Sequence, residues 1–343
     1  MKKKILVTGG TGYIGSHTAV DLIEEGYEVI IIDNLYNSDA VVADRIGTIT
    51  GTRPELEVFD LCDGSRLNEF FACHNDIDAI IHFAAFKSVG ESVRKPLEYY
   101  RNNLLSLINL LETMKANSIG NMVFSSSCTV YGQPEKLPVT EDSPLHPPVT
   151  PYGSTKQIGE GIISDTVAAV KSMNAISLRY FNPIGAHPSA LIGELPRGVP
   201  ENLVPYITQT AIGLRKELRV FGDDYNTPDG SCIRDYLHIC DLAKAHTAAV
   251  KRLLGGKNKK NYEVYNLGTG SGVSVLEAIS SFERVSGVKL NYTITGRREG
   301  DIEKIWADPS LAKNELGWET VHSLDDAMKS AWEWEKHLRD AEK

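Results

Sequence analysis

The sequence predicts an α/β fold, a Rossmann-type doubly wound parallel sheet with a smaller mixed α/β domain. Three observations predict it: short apolar, β-branched runs recur through the first half, segments of helical spacing separate them, and the rhythm breaks after Tyr180. Continuous rather than alternating apolar runs suit strands covered on both faces, and strands that alternate with helices build parallel sheets.

In chain order, strands are expected at 4–8 (KILVT), 28–33 (EVIIID), 55–60 (ELEVFD), 78–83 (DAIIHF), 121–126 (NMVFSS) and 175–180 (AISLRY). Helical spacing runs from Tyr13 to Glu25 and from Pro96 to Lys115. Proline at the first position of a helix has the right φ and gives up no needed N–H, so Pro151 in "PYGSTKQIGE" starts another. The stretch from Phe181 to Pro205 is rich in proline and glycine and reads as a long ordered loop over a cleft or the start of a second domain. Beyond it a helix is expected near 202–215, strands at 218–221, "DYLHI" and "EVYNL", and helices at 241–254, 274–286 and 323–340. The closing "KHLRDAEK" reads as a solvated helix end. Residues 1–182 are expected to form the sheet domain, with 234–266 returning to it, and 183–343 the smaller one.

With 343 residues, 42% of them hydrophobic, the chain exceeds the size at which one core stops growing. Lys plus Arg number 36 against 45 Asp plus Glu, a net charge of -9 without a basic tract, which recommends neither nucleic acid nor an anionic membrane. Five cysteines form no C-x-x-C pair, and "MKKKILVTGG" lacks the apolar length of a signal or a membrane span. A reduced, cytoplasmic protein without structural metal is expected.

"LVTGGTGYIGSH" sets Gly9, Gly12 and Gly15 between the first strand and the first helix. Glycines there permit a tight turn, close approach to a pyrophosphate and close packing of helix on strand, while the helix N-terminus offers N–H groups to phosphate. Asp33 ends the second strand, where a carboxylate accepts both ribose hydroxyls of an adenosine and repels a 2′-phosphate. NAD is favoured over NADP.

Tyr152 and Lys156 stand one helical turn apart on one face. A phenol titrates near 10, too high for a base at neutral pH, and an adjacent ammonium together with the positive charge of an oxidised nicotinamide is expected to lower it. Such a pair can take the proton of an alcohol while hydride leaves the same carbon. Ser127, after the fifth strand, sits at the carboxyl end of the sheet, where ligands of open α/β folds bind. His82 reads as a core histidine and Cys128 as a small packing residue.

The stretches "VTGGTGYIGSHT", "DNLYNS", "IHFAAFKSVGESVRKPLEYYRNN", "FSSSCTVYG", "PYGSTK", "LRYFNPIGAHPS", "RDYLHICDLA", "YNLGTG" and "RREGD" resemble the extended short-chain dehydrogenase/reductase family, and within it the UDP-glucose 4-epimerases, over nearly the whole chain. The resemblance implies that Ser127, Tyr152 and Lys156 are catalytic. It implies an NAD site of Gly9, Gly12, Tyr13, Ile14, Gly15, Asp33, Asn34, Asn37, Ser38, Asp60, Leu61, Phe83, Ala84, Lys87, Asn102, Ser125, Tyr152, Lys156 and Phe181. For the UDP-sugar it implies Lys87, Ser127, Tyr152, Asn182, Asn202, Leu203, Phe221, Arg234, Arg298 and Asp301, with Ile305 flanking the sugar's 2-substituent. The arginines suit a pyrophosphate through bidentate bonds. A homodimer built on the helices at 96–115 and 152–171 is implied as well. A nucleotide-sugar dehydratase on the same fold is disfavoured, because Cys128 and Thr129 stand where those enzymes carry an acidic pair. A silent NAD-binding regulator is disfavoured by the presence of both Tyr152 and Lys156.

Overall fold

The computed structural model describes residues 2–298 and 301–341. Glu299 and Gly300 of "RREGD" and the last two residues of "KHLRDAEK" lie outside the described residues. The chain runs β1 (Lys4–Thr8), α1 (Tyr13–Glu24), β2 (Glu28–Asp33), α2 (Val41–Thr50), β3 (Glu55–Val58), α3 (Gly64–Cys73), β4 (Ala79–His82), α4 (Val89–Arg94), α5 (Pro96–Ala116), β5 (Asn121–Ser125), a 3₁₀ turn (Cys128–Tyr131), α6 (Pro151–Ala169) and β6 (Asn174–Tyr180). It continues with β7 (Asn182–Ile184), α7 (Leu203–Ala211), β8 (Leu218–Phe221), β9 (Ile233–Arg234), β10 (Tyr236–His238), α8 (Ile239–Leu254), β11 (Tyr262–Leu267), β12 (Val273–Ser274), α9 (Val275–Ser286), β13 (Tyr292–Thr295), β14 (Lys304–Ile305), α10 (Ser310–Leu316) and α11 (Leu324–Ala341).

The central sheet has seven parallel strands in the order β11-β6-β5-β4-β1-β2-β3. Its continuous apolar runs divide residue by residue between two layers. Ile5 and Val7 pack with Ala19, Leu22, Leu242 and Ala249 of α1 and α8, whereas Leu6 faces Phe71, Leu110, Met114 and Ile163 of α3, α5 and α6. Each fully buried Leu or Ile contributes about 1.5–3 kcal/mol relative to an exposed one, so both helical layers are held firmly.

The strand order reverses between β1 and β4, which opens a crevice at the carboxyl ends of these strands. β11 joins the edge beside β6, and α8 packs on α1, so the chain from Ile239 to Leu267 lies with the sheet. The rest of the second half gathers Val204, Ile207, Val220, Ile279, Phe282 and Met328 into a core of its own.

Several boundaries differ from the sequence expectation, most of them by a single residue. β3 stops at Val58 because its one partner, β2, ends at the paired Asp33. The helix expected over 202–215 ends at Ala211, and Gly213 then turns the chain at φ +87°. "DYLHI" splits into the end of a strand and the start of a helix: β10 pairs with β7 only as far as His238, whose side chain caps α8 by accepting from the Cys240 N–H at 3.0 Å. α8 therefore begins before the expected 241. Among the described residues no helix is long and apolar enough to cross a membrane.

Candidate active site

The crevice is built first by its glycines. Gly9 adopts φ +70°, and a Cβ on it would stand 2.7 Å from the Ala84 N, in the loop after β4. A Cβ on Gly15 would stand 2.3 Å from the Gly9 carbonyl oxygen. Only glycine allows this turn and this contact. Gly12 stands at the N-cap of α1, which has no side-chain cap and no acid in its first turn, so its leading N–H groups remain open to an anion.

Around this turn the expected nucleotide-facing residues converge. The Asp33 carboxylate accepts from the Thr11 N–H at 3.1 Å, the Leu35 N–H at 2.9 Å and the Ser38 hydroxyl at 3.0 Å. Asn34 Nδ2 donates to Asp60 Oδ2 at 3.0 Å, which joins the loops after β2 and β3; Leu61 is buried beneath them and Asn37 is exposed. Tyr13 and Ile14 open α1, and the Tyr13 hydroxyl donates to the Gly185 carbonyl at 2.6 Å. Phe83 and Ala84 follow β4, and Lys87 Nζ stands 5.9 Å from the centre of the Tyr13 ring and 3.2 Å from Glu194 Oε1. Asn102 lies on α5 and bonds Asn103. A glycine cradle, an uncapped helix terminus and a carboxylate at the end of β2 fit a dinucleotide.

The second group stands on α6. Thr150 caps the helix by accepting from the Gly153 N–H at 3.3 Å, and Pro151 takes its first position, which fixes Tyr152 and Lys156 on one face. Lys156 is buried; its Nζ donates to the Ser125 carbonyl at 2.6 Å and lies 5.1 Å from the centre of the Phe124 ring and 5.8 Å from that of Tyr152. Ser127 follows β5 and accepts from the Thr129 N–H at 3.2 Å. The Ser125 hydroxyl is bonded to that of Tyr180.

Burial dominates the electrostatics here. It raises the Tyr152 phenol well above its ordinary value, Tyr180 and Cys128 add to the rise, and the bond to Ser127 opposes it. It brings Lys156 down to about 7, against which Glu160 acts. The lowering of Tyr152 expected from the sequence needs the positive nicotinamide as well as Lys156; in the protein by itself, desolvation of the phenolate sets the direction. His82 is bonded to Thr8 at 2.8 Å and held neutral by burial, down to about 3, and burial pushes the Cys128 thiol up to about 12. Both behave as packing residues.

The second half of the chain supplies the facing wall. Arg298 Nη2 donates to Asp301 Oδ1 at 2.7 Å, and Arg234 Nη2 lies 3.7 Å from the same oxygen, so one carboxylate holds two guanidinium groups. Arg298 also stacks over the Phe221 ring at 5.7 Å. Asn182 opens β7, and Asn202 precedes Leu203 at the start of α7 and donates to Glu194 Oε1 at 2.6 Å. Ile305 is 2% exposed and packs with Phe181, Val130, Val139 and Ala307. It is part of the buried wall here. Sequence reasoning passed over Glu194 and Glu160; the latter stands one turn beyond Lys156, a spacing that could have found it.

The family model described as GDP-mannose 4,6 dehydratase matches residues 6–331. The UDP-glucose 4-epimerase of Dictyostelium discoideum is 49% identical over 332 residues, 97% of this chain and 95% of that one. The chain belongs to this family, within it to the UDP-glucose 4-epimerases. Among solved structures of such epimerases, one from Stenotrophomonas maltophila with bound NAD and formylated UDP-arabinopyranose matches with a TM-score of 0.95 at 47% identity, over 99% of both chains. One from Bifidobacterium longum in complex with NAD+ and UDP matches with 0.94 at 46%, over 98% of this chain and 99% of that one.

Proposed function

We propose that the protein interconverts UDP-glucose and UDP-galactose by epimerisation at carbon 4, with NAD held throughout. What supports this reading is that Ser127 bonds Tyr152 and Lys156 bonds the Ser125 carbonyl at the end of β5, the strand next to β4, whose following loop meets the Gly9 turn. Gly9, Gly12 and Gly15 with the start of α1 hold the pyrophosphate of the dinucleotide, Asp33 its adenosine ribose, and Asn34, Asp60 and Leu61 flank its adenine. NAD, when bound, accepts hydride from carbon 4 and returns it, without net redox.

The residues of the chain do the rest. Tyr152 takes the proton of the sugar 4-hydroxyl, Ser127 bridges the sugar oxygen and the phenol, and the Lys156 ammonium favours the phenolate. The 4-keto sugar then turns over while its UDP stays anchored by Arg234 and Arg298 with Asn182, Asn202 and Phe221. Tyr152 returns the proton on the other face, and the configuration is inverted. Uniformly tight binding of the pyranose would trap one face, so the grip belongs on the nucleotide. Asp301 holds both arginines in place for it.

Incubation of the purified protein with UDP-galactose, no cofactor added, is expected to yield UDP-glucose on chromatography. Absence of conversion even with added NAD overturns the reading. Ile305 is shorter than a tyrosine, which supports additional turnover of UDP-N-acetylglucosamine and UDP-N-acetylgalactosamine. Leu97, Leu105 and Ile108 on α5 and Ile158 on α6 are exposed, which supports a homodimer through these helices. Ile108→Glu is then expected to halve the mass seen by sedimentation. Five unpaired cysteines agree with a reducing compartment such as the cytoplasm.

A further inference from the structure

Glu160 stands one turn beyond Lys156 on α6, buried, with no contact to solvent that explains a charge there. Arg179 of β6 grips its carboxylate with both arms, Nε to Oε1 at 2.9 Å and Nη2 to Oε2 at 2.6 Å. Oε1 also accepts from the Ser126 hydroxyl at 2.5 Å. Ser126 is the middle of a tripeptide whose neighbours both serve the site: the Ser125 carbonyl receives Lys156 Nζ, and Ser127 carries the hydroxyl beside Tyr152. Behind the pair, Arg179 Nη1 donates to the Tyr131 hydroxyl at 3.0 Å, which donates to Asn266 of β11 at 2.6 Å. One buried chain of bonds thus ties the helix of Tyr152 and Lys156 to the end of β5, to β6 and to β11.

A buried ion pair is weak as a stabiliser, since an apolar pair of the same volume is often as stable. Its position suggests another use. We infer that Glu160 is a positioning residue for the epimerisation: through Ser126 it holds the Ser125–Ser127 segment in register with α6, and its carboxylate supplies a negative charge one turn from the Lys156 ammonium. The inference rests on the epimerase reading above. The groups around Lys156 are Glu160 and Tyr152 on its own helix, the Ser125 carbonyl of β5, and His82 of β4, whose imidazole burial keeps neutral and the Lys156 charge disfavours further; Arg179 of β6 bonds Glu160 and Tyr180 acts on Tyr152. With Glu160 in place Arg179 is balanced; without it, Arg179 is a bare positive charge.

The experiment follows kcat and KM for UDP-galactose against pH in the holoenzyme, together with the titration of the Lys156 amine by NMR of nitrogen-labelled lysine, assigned with Lys156→Met. Glu160→Gln is expected to lower kcat about tenfold with KM within about twofold. Its Lys156 titration, and the alkaline fall of kcat, should move down by about one pH unit. Glu160→Gln with Arg179→Met removes both charges and should bring the titration back towards that of the parent. Ser126→Ala keeps the ion pair, so it serves even where Glu160→Gln does not fold; it should lower kcat severalfold with KM unchanged. A loss of kcat in Glu160→Gln with an unmoved Lys156 titration, an equal shift in the single and double variants, or full kcat in Ser126→Ala overturns the inference. If the parent does not epimerise, the function fails instead, and the amine titration still reads what Glu160 does to Lys156.

Discussion

Arg197 reaches across the crevice to Tyr36: its Nη1 donates to the Tyr36 carbonyl at 2.9 Å, and its Nη2 donates to the Ser38 carbonyl. Tyr36 and Ser38 belong to the loop after β2 that carries Asp33. Close by, Glu194 accepts from Lys87 of the loop after β4. The segment between β7 and α7 is thereby pinned to both loops that flank the proposed dinucleotide.

Arg197→Ala should therefore loosen the cofactor. Hydrogen bonds from an exposed guanidinium are individually modest, so a loss of NAD on gel filtration about threefold to tenfold faster is expected. NAD content equal to that of the parent after the same passage would speak against a pinned loop.

Tyr152→Phe keeps the ring on α6 and removes the acid–base group. Turnover of UDP-galactose should fall by about 10³, within the range of general acid–base catalysis, with an unchanged circular dichroism spectrum. A variant that retains more than a tenth of the activity would show that another group moves the proton.

Ile305→Tyr inserts a larger ring into the cluster of Phe181, Val130, Val139 and Ala307. Overpacking should cost about 1–3 kcal/mol of stability and push the phenol towards the sugar side. The rate on UDP-N-acetylgalactosamine relative to UDP-galactose is expected to drop about tenfold. An unchanged ratio would remove Ile305 from specificity.

Burial depresses His246 to about 4, and its ring packs on Phe83 with centroids 4.6 Å apart. The unfolded chain binds a proton at its ordinary value near 6.5 and the folded one does not, so stability rises with pH between about 4 and 6.5 and is lost as pH falls through that window. The slope is about 1.4 kcal/mol per pH unit for each such histidine, and His17 and His82 share it. Denaturant midpoints taken at pH 6.5 and 5 should separate less in His246→Phe than in the parent, and equal separations would refute a neutral buried imidazole.

What the chain's residues determine alone is its local grammar. The continuous apolar runs of β1, β2, β4, β5 and β6 form parallel strands because their interior residues have a layer to face on either side, whereas the edge strand β3 is largely uncovered. Pro151 starts α6 because its φ is preset, and the glycines before α1 have no substitute where backbone meets backbone. Asp33 and Ser127 fall at strand ends for the same reason: strand length and side-chain period are written in order. Tertiary structure decides what depends on partners distant in sequence. The two-residue β12, β9 and β14 exist only because they pair across the chain, with Val273 and Ile305 on either side of Arg234. α7 stops where its packing stops, and Asp301 joins two arginines that lie 64 residues apart in the chain. The protonation of Tyr152 and Lys156 belongs to the same class, since spacing sets their common face but burial by other elements sets their charge. Desolvation is a property of the assembled volume, and no single segment carries it.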